Sequence, residues 1–437
     1  MSFGRVNRRE FVTHAASAGM ALPMLGWMNS AQAALEGKGK GKAGHTRSLI
    51  LLWMGGGPST IDLWDLKPGS KNGGEFKPIS STGAGQVSEH LPRMARNMKH
   101  MNVIRSYNSR DGAHERGTYI NHTAYAPVPT VVHPSIGGVV ASRNTPETLD
   151  IPGHICLGGA GLSPGFLGTQ YAPFRVEAGP NPIPNLKSPV DQDRFARRVA
   201  ALREEQEMFA RQNRGDNPKD HKIIYDKTFK LMGSATLNAF KIDQEPDAVQ
   251  TKYGKTGFGK NCLLARRLVE IGVPFIEVGF GGWDMHQGIF NALAGTGRGM
   301  AGNAGAAATP KLTELDMGFS ALVEDLVARG LWASTTVVWM GDFGRTPRIN
   351  QDGGRDHWPS PWSVVLGGGG MKGGEVVGST DDDGMTVKDR PVEVSNLFAT
   401  LYKSLGIEPN TELRSPNGRP IKLTGTFGDG DVVKELF

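Results

Sequence analysis

Histidine and aspartate recur in this chain at spacings that suit a metal ion. Trp283-Asp284-Met285-His286 sets a carboxylate and an imidazole two residues apart. In an extended segment residues i and i+2 point the same way, so both can reach one cation. Gly341-Asp342-Phe343-Gly344-Arg345 offers a second carboxylate, and Arg355-Asp356-His357-Trp358 follows a loop that contains Gly353 and Gly354. Adjacent Asp and His point to opposite sides of an extended chain. They share an ion only across a turn, or one binds and the other supports it from behind. Asp284, His286, Asp342, Asp356 and His357 are therefore the expected ligands of a divalent ion. Oxygen and nitrogen donors without thiolate suit Zn, Mn, Mg, Ca or Fe. Each piece also has a plainer reading. An exposed Asp-x-His pair can bind nothing, and a loop carboxylate can cap a turn or pair with Arg345.

Other groups could work beside such an ion. Arg345 and Arg355 have the fork geometry to clamp an anion through two parallel hydrogen bonds. His114 opens a polar segment that runs to His122 and Thr123, and could serve as acid, base or nucleophile. Its plainer reading is a surface helix with solvated imidazoles. Ser59, with Asp62 and Asp65 close behind, follows a Gly-Gly-Pro turn. It is a candidate nucleophile or anion contact, with a simple N-cap as the plainer alternative.

These residues need elements to position them. Residues 48–54, 273–280, 335–340 and 362–366 are apolar runs, each ending in glycines with polar residues just beyond. Such runs fit strands buried on both faces of a parallel sheet, and ligands bind at the carboxyl edge of such a sheet. Between the runs the spacing predicts helices. One has Thr309 as N-cap, Pro310 in its first turn and Gly330 at its end; a second covers 260–271; a third near 394–405 closes at Gly406. Residues 191–214 are highly charged and read as a solvated surface helix. Alternation of strand and helix makes the class α/β, with a largely parallel central sheet flanked by helices.

The chain begins with an address. Asn7-Arg8-Arg9-Glu10-Phe11 precedes an apolar stretch, and Ala31-Gln32-Ala33 supplies a small-x-small cleavage pattern. Residues 1–33 thus resemble a twin-arginine (Tat) export signal, and 34–47 form a Gly/Lys linker. The apolar stretch is shorter than the ~20 residues that span a bilayer. The expected compartment is periplasmic or extracellular, with the Tat translocase as the export partner and no membrane attachment after cleavage. The net charge of +6 over 437 residues is dispersed, so nucleic-acid binding has no compositional support. Two cysteines, Cys156 and Cys262, exclude a disulfide scaffold or a Cys-rich zinc site, though the two could pair.

Several stretches carry a family resemblance: Leu52-Trp53-Met54-Gly55-Gly56-Gly57-Pro58-Ser59, 263–270, Gly281-Gly282-Trp283-Asp284-Met285-His286, 341–347 and Gly354-Arg355-Asp356-His357-Trp358. The sequence resembles a family of Tat-exported bacterial proteins of unknown function, related to the alkaline phosphatase and sulfatase superfamily. Residues 392–407 are similar to a late sulfatase helix, and 122–127 to the helix end after the sulfatase nucleophile. The resemblance implies one domain over 48–437 with a metal site at the carboxyl edge of its sheet. It aligns Asp284 and His286 with a first ligand set, Asp342 with a second and His357 with the last. The chain departs from the pattern where Gly55 and Gly56 replace a first-strand Asp and Phe343 replaces a ligand His. No Ser, Thr or Cys takes the nucleophile position; His114 falls there. The expected function is exported metal-dependent hydrolysis of a phosphate or sulfate ester on a small anionic substrate. The alternatives are a non-catalytic binding or assembly protein that keeps the fold, and Asp/His clusters that only hold loops.

Overall fold

The computed structural model describes residues 46–437 except 160, 180, 181, 185, 213–216 and 296–308. The expected signal and nearly all of the linker lie outside the described residues. Among the described residues, nine strands form the central sheet. They are β1 (Ser48–Met54), β2 (Met101–Asn108), β3 (His154–Leu157), β4 (Phe174–Val176), β5 (Phe275–Gly279), β6 (Thr335–Gly341), β7 (Trp362–Gly368), β8 (Val376–Val377) and β9 (Val392–Glu393). Their order is β8-β2-β7-β6-β1-β5-β3-β4, with β9 also paired to β2.

β1 lies at the centre because all seven of its residues are buried. It pairs in parallel with β5, Leu49 opposite Phe275, and with β6, Ser48 opposite Thr335. The registers bring Met54, Gly279 and Gly341 to one edge. β7 departs from the expectation of parallel strands. It runs antiparallel to both β6 and β2. Its glycine end, Gly367 and Gly368, therefore lies at the opposite edge, and its amino end at Trp362 joins the carboxyl edge of the others. An apolar run has no polarity of its own, so the sequence could not show this reversal.

The helices that cover the two faces include α1 (His114–Thr123), α2 (Ile136–Asn144), α3 (Gly257–Glu270), α4 (Lys311–Ala328) and α5 (Val394–Ser404). Alternate residues of β1 feed two cores, as a strand buried on both faces must. Ile50, Leu52 and Met54 pack with Leu264 and Leu268 of α3 and Leu315, Phe319 and Leu322 of α4. Leu49, Leu51 and Trp53 pack with Ile120 of α1, Val139 and Val140 of α2, and Leu397, Phe398 and Leu401 of α5. The fold class is thus α/β with a mostly parallel sheet between helices. Pro310, one residue beyond the expected Thr309, occupies the N-cap of α4. Residues Gln192–Arg211 form a helix with no buried residue, the solvated helix the sequence suggests. Cys156 and Cys262 are both buried and free. Among the described residues no helix is long and apolar enough to cross a membrane.

Candidate metal centre

Four chain segments meet where β1, β5 and β6 end. β1 runs into Gly55-Gly56-Gly57. Gly56 has φ +111°, and a side chain there would come within 2.5 Å of the Asp284 backbone N, so only glycine lets the two loops close on each other. The Trp283 N–H donates to Gly55 O at 3.1 Å and locks that contact, with the Trp283 ring 1% exposed as its anchor. Asp342 follows β6 and accepts the Gly56 N–H at 3.2 Å. α1 is fastened to the same strand end by Asn121, which donates to Asp342 O at 2.8 Å and accepts from the Tyr107 hydroxyl at 2.8 Å. That contact fixes His114 at the front of α1. His357 arrives on a short antiparallel ladder, Gly344–Arg345 against His357–Trp358, just before the reversed strand β7.

Three imidazoles converge on Asp284. His286 Nε2 is 2.9 Å and His357 Nε2 3.1 Å from its Oδ1, and His114 Nε2 is 3.5 Å from its Oδ2. His286 Nε2 and His357 Nε2 are 3.0 Å apart. Donor atoms of His114, Asp284 and His357 all lie within 4.8 Å of one another. Each ring is held from behind at Nδ1: His114 by Asp342 at 2.5 Å, His286 by Asp356 at 2.8 Å, and His357 by the Gly112 carbonyl at 2.7 Å. Those three partners only accept, so each Nδ1 carries the hydrogen. In the neutral rings each Nε2 then presents a lone pair. Lone pairs of two imidazoles and a carboxylate oxygen face one another at about 3 Å; the Arg345 guanidinium, which donates to Asp284 Oδ1 and lies 3.4 Å from His286 Nε2, relieves part of that repulsion, and a cation or an extra proton beside His357 Nε2 would relieve the rest. A divalent ion with nitrogen and oxygen preference fits this donor set. The carboxylate–imidazole–metal arrangement is the usual way such rings are oriented.

The residues expected as ligands thus divide. Asp284, His286 and His357 present atoms to the cluster. Asp342 and Asp356 hold the rings of His114 and His286 from behind. His114, expected as an acid, base or nucleophile, offers Nε2 as a fourth donor. No local pattern orders these layers, because the outer partners lie 228 and 70 residues away from their rings.

The arginines also separate. The side chain of Arg345 is fully buried and donates to Asp284 Oδ1 at 2.5 Å. Its other N–H groups go to backbone carbonyls, Gly57 at 2.8 Å, Arg355 at 3.0 Å, Trp283 at 3.3 Å and Gly56, and Nη1 also lies 3.4 Å from His286 Nε2. It braces the loops and leaves no fork for an outside anion. Arg355 is fully buried and pairs with both oxygens of Asp62, at 2.8 and 2.7 Å. Ser59 donates to the same Asp62 at 2.5 Å and is 2% exposed. Ser59 and Arg355 therefore belong to a buried loop network, not to the cluster. A hydroxyl that turns inward to a carboxylate within its own turn is indistinguishable in sequence from one that faces a substrate.

Charge follows the same geometry. Burial alone would raise the Asp284 carboxyl, but the hydrogen bond from Arg345 and the charge of that guanidinium outweigh it and hold the group well below the usual range. The hydrogen bond with His286 holds Asp356 low as well. The cluster faces solvent: the side chains of Asp284, His286 and His114 are 46%, 42% and 39% exposed. Asn350, absent from the expected set, donates to His286 O at 3.0 Å and to Asp356 at 3.3 Å. A buried pair was also missed. His122 Nε2 lies 3.3 Å from Glu277 Oε2, each side chain under 5% exposed. The signal was there: Glu277 is a lone acid in an apolar strand.

Residues 46–437 match the model of a family described as "Protein of unknown function (DUF1501)". The chain belongs to that family. No curated protein matches this DUF1501 member. Solved structures similar to it include Ps i-CgsB in complex with k-i-k-neocarrahexaose, with 12% identity, TM-score 0.39, and 83% of this chain and 72% of that one covered. Another is the PsFucS1 sulfatase from Pseudoalteromonas sp., at 12% identity and TM-score 0.34, covering 83% and 68%. A third is the lipoteichoic acid synthase LtaP from Listeria monocytogenes, at 9% identity and TM-score 0.34, covering 89% and 87%. The likeness is shallow at these identities and TM-scores, and the site of the DUF1501 chain is defined by its own side chains.

Proposed function

We propose that this chain is an exported, metal-dependent hydrolase of phosphate or sulfate esters, with a divalent ion held by His114, Asp284, His286 and His357. One observation carries the reading: three Nε2 atoms, each oriented by an acceptor at its Nδ1, converge on a single exposed carboxylate. The chemistry such an ion supplies is polarisation of an ester oxygen and acidification of a bound water toward neutral pH. The protein's part is to hold the donors. Asp342 and Asp356 keep two imidazoles in the tautomer that offers Nε2. Arg345 pins Asp284 and adds positive charge at the back of the site. The open rim admits an ester carried on a small anionic molecule. Export through the Tat route accords with residues 1–33 and places the reaction outside the cytoplasm.

A second reading is a binding protein without turnover. It draws on one fact: among the described residues no hydroxyl or thiol side chain hydrogen-bonds the four donor side chains. Protein purified from its native export route, supplied with Zn²⁺ or Mn²⁺ and screened on phosphate and sulfate esters, separates the two. Metal-dependent turnover that disappears in Asp284→Ala supports hydrolysis. Metal binding with no turnover on any ester favours the second reading.

A further inference from the structure

The arginines that the sequence offered as an anion clamp are committed elsewhere, which leaves the question of what holds the substrate's charge. Lys311, the first residue of α4, answers it. Its ammonium donates to Gly281 O at 2.7 Å, and that carbonyl is its one acceptor among the described residues. It lies 4.2 Å from the centre of the Phe280 ring and 5.1 Å from that of Trp283. Lys311 is half-buried, and no carboxylate of the described residues is within ion-pair range of its ammonium. The two ring faces and the Gly281 carbonyl suit a cation and Glu314 attracts it from one turn along α4, but none of these is a counter-ion in contact with the ammonium, and the positive end of α4 lies beside it.

The surface next to this ammonium is open. Gly281 and Gly282 are exposed backbone. A side chain at Gly281 would meet nothing within 4 Å, and one at Gly282 (φ +79°) would meet only Lys311, with Nζ at 3.3 Å. Neither glycine N–H has an acceptor among the described residues. Asp284 follows the glycine strip, two residues beyond Gly282. We propose that Lys311 and the Gly281–Gly282 strip form an anion-binding subsite, which takes a second sulfate, phosphate or carboxylate group of the substrate whose ester sits at the metal centre. The idea rests on the proposed hydrolase reading for the second half of that statement. The subsite itself does not need the metal.

Pyridoxal 5′-phosphate tests it, as an amine-reactive aldehyde that carries a phosphate. The protein is treated at pH 8, the imine is reduced with borohydride, and modified lysines are mapped by peptide mass spectrometry, with exposed Lys388 as the internal reference. Burial pushes Lys311 down to about 8, so about half of it is free amine there, against less than about 1% of an ordinary lysine. The expected result is labelling of Lys311 at least about tenfold ahead of Lys388, slowed severalfold by inorganic phosphate or sulfate but not by chloride at equal ionic strength. Labelling of Lys311 no faster than Lys388, or fast labelling that phosphate and sulfate leave unchanged, overturns the subsite. A metal-free protein that still shows anion-protected labelling keeps the subsite while the hydrolase reading falls. Metal-dependent ester turnover without protection does the reverse.

Discussion

Asp342→Asn is the sharpest probe of how the imidazoles are held. Asp342 is 2% exposed, accepts the Gly56 N–H on Oδ1 at 3.2 Å and faces His114 Nδ1 with Oδ2 at 2.5 Å. Asparagine has the same shape but one donor end. If its oxygen stays with Gly56, its NH₂ meets His114 Nδ1, which must become an acceptor. The hydrogen then moves to Nε2, and His114 leaves the donor set. If the amide turns over, its NH₂ opposes the Gly56 N–H in a buried place, at about 1–3 kcal/mol. Both outcomes weaken the site. Loss of such an outer partner lowers metal affinity about 10- to 100-fold, or about 1.4–2.7 kcal/mol. Asp356→Asn is the comparison. Asp356 is 56% exposed, so water can replace its oxygen, and the loss there should be smaller, within about threefold. The assay is competition for Zn²⁺ with a chromophoric chelator at pH 7, with melting curves to confirm folding. Equal affinity in the Asp342→Asn variant and the parent, or a larger loss from Asp356→Asn, refutes the reasoning.

Three further outcomes follow. Arg355→Met leaves Asp62 buried without its cation and should cost about 3–5 kcal/mol in urea unfolding; adding Asp62→Asn should recover part of that loss, and no recovery contradicts the buried-pair account. His154 is held down to about 4 by burial, against 6.5 for the ordinary ring, so between those values the unfolded chain binds the extra proton. Its contribution is complete above pH 6.5 and fades as pH falls toward 4, by about 3 kcal/mol; unfolding midpoints at pH 7, 5.5 and 4.5 should show a slope that His154→Gln flattens. Gly56→Ala combines a strained φ with a 2.5 Å approach to Asp284 N, and should both lower the melting temperature and abolish Zn²⁺ binding in the chelator assay.

The sheet core was legible because burial on both faces writes a continuous apolar run, as in residues 48–54. The positions of Asp284, His286 and His357 at one edge followed from glycines that end or precede those runs. Three things were not legible. The direction of β7 depends on the hairpin-like return through Arg345 and His357, which has no periodic signal. The layer to which each Asp belongs depends on contacts 70 and 228 residues apart in the chain. The fates of Arg345 and Arg355 depend on which carbonyls and carboxylates the loops bring to them, and two arginines in similar glycine-rich surroundings read alike. Lys311 carries no signal for a related reason: a lysine in the first turn of a helix is commonplace until the fold shows a carbonyl and two rings around it and no carboxylate. Residues 1–33, and with them the export reading, rest on sequence alone.

X-ray absorption on protein purified from its native export route, with total metal analysis of the same sample, tests the central claim most directly. The account predicts a divalent ion in stoichiometric amount whose scattering shows imidazole shells and a carboxylate oxygen, and whose occupancy collapses in His357→Ala and Asp284→Ala. A folded protein that carries no more than trace metal after Zn²⁺ and Mn²⁺ have been offered, or whose ion stays bound in both variants, would contradict it.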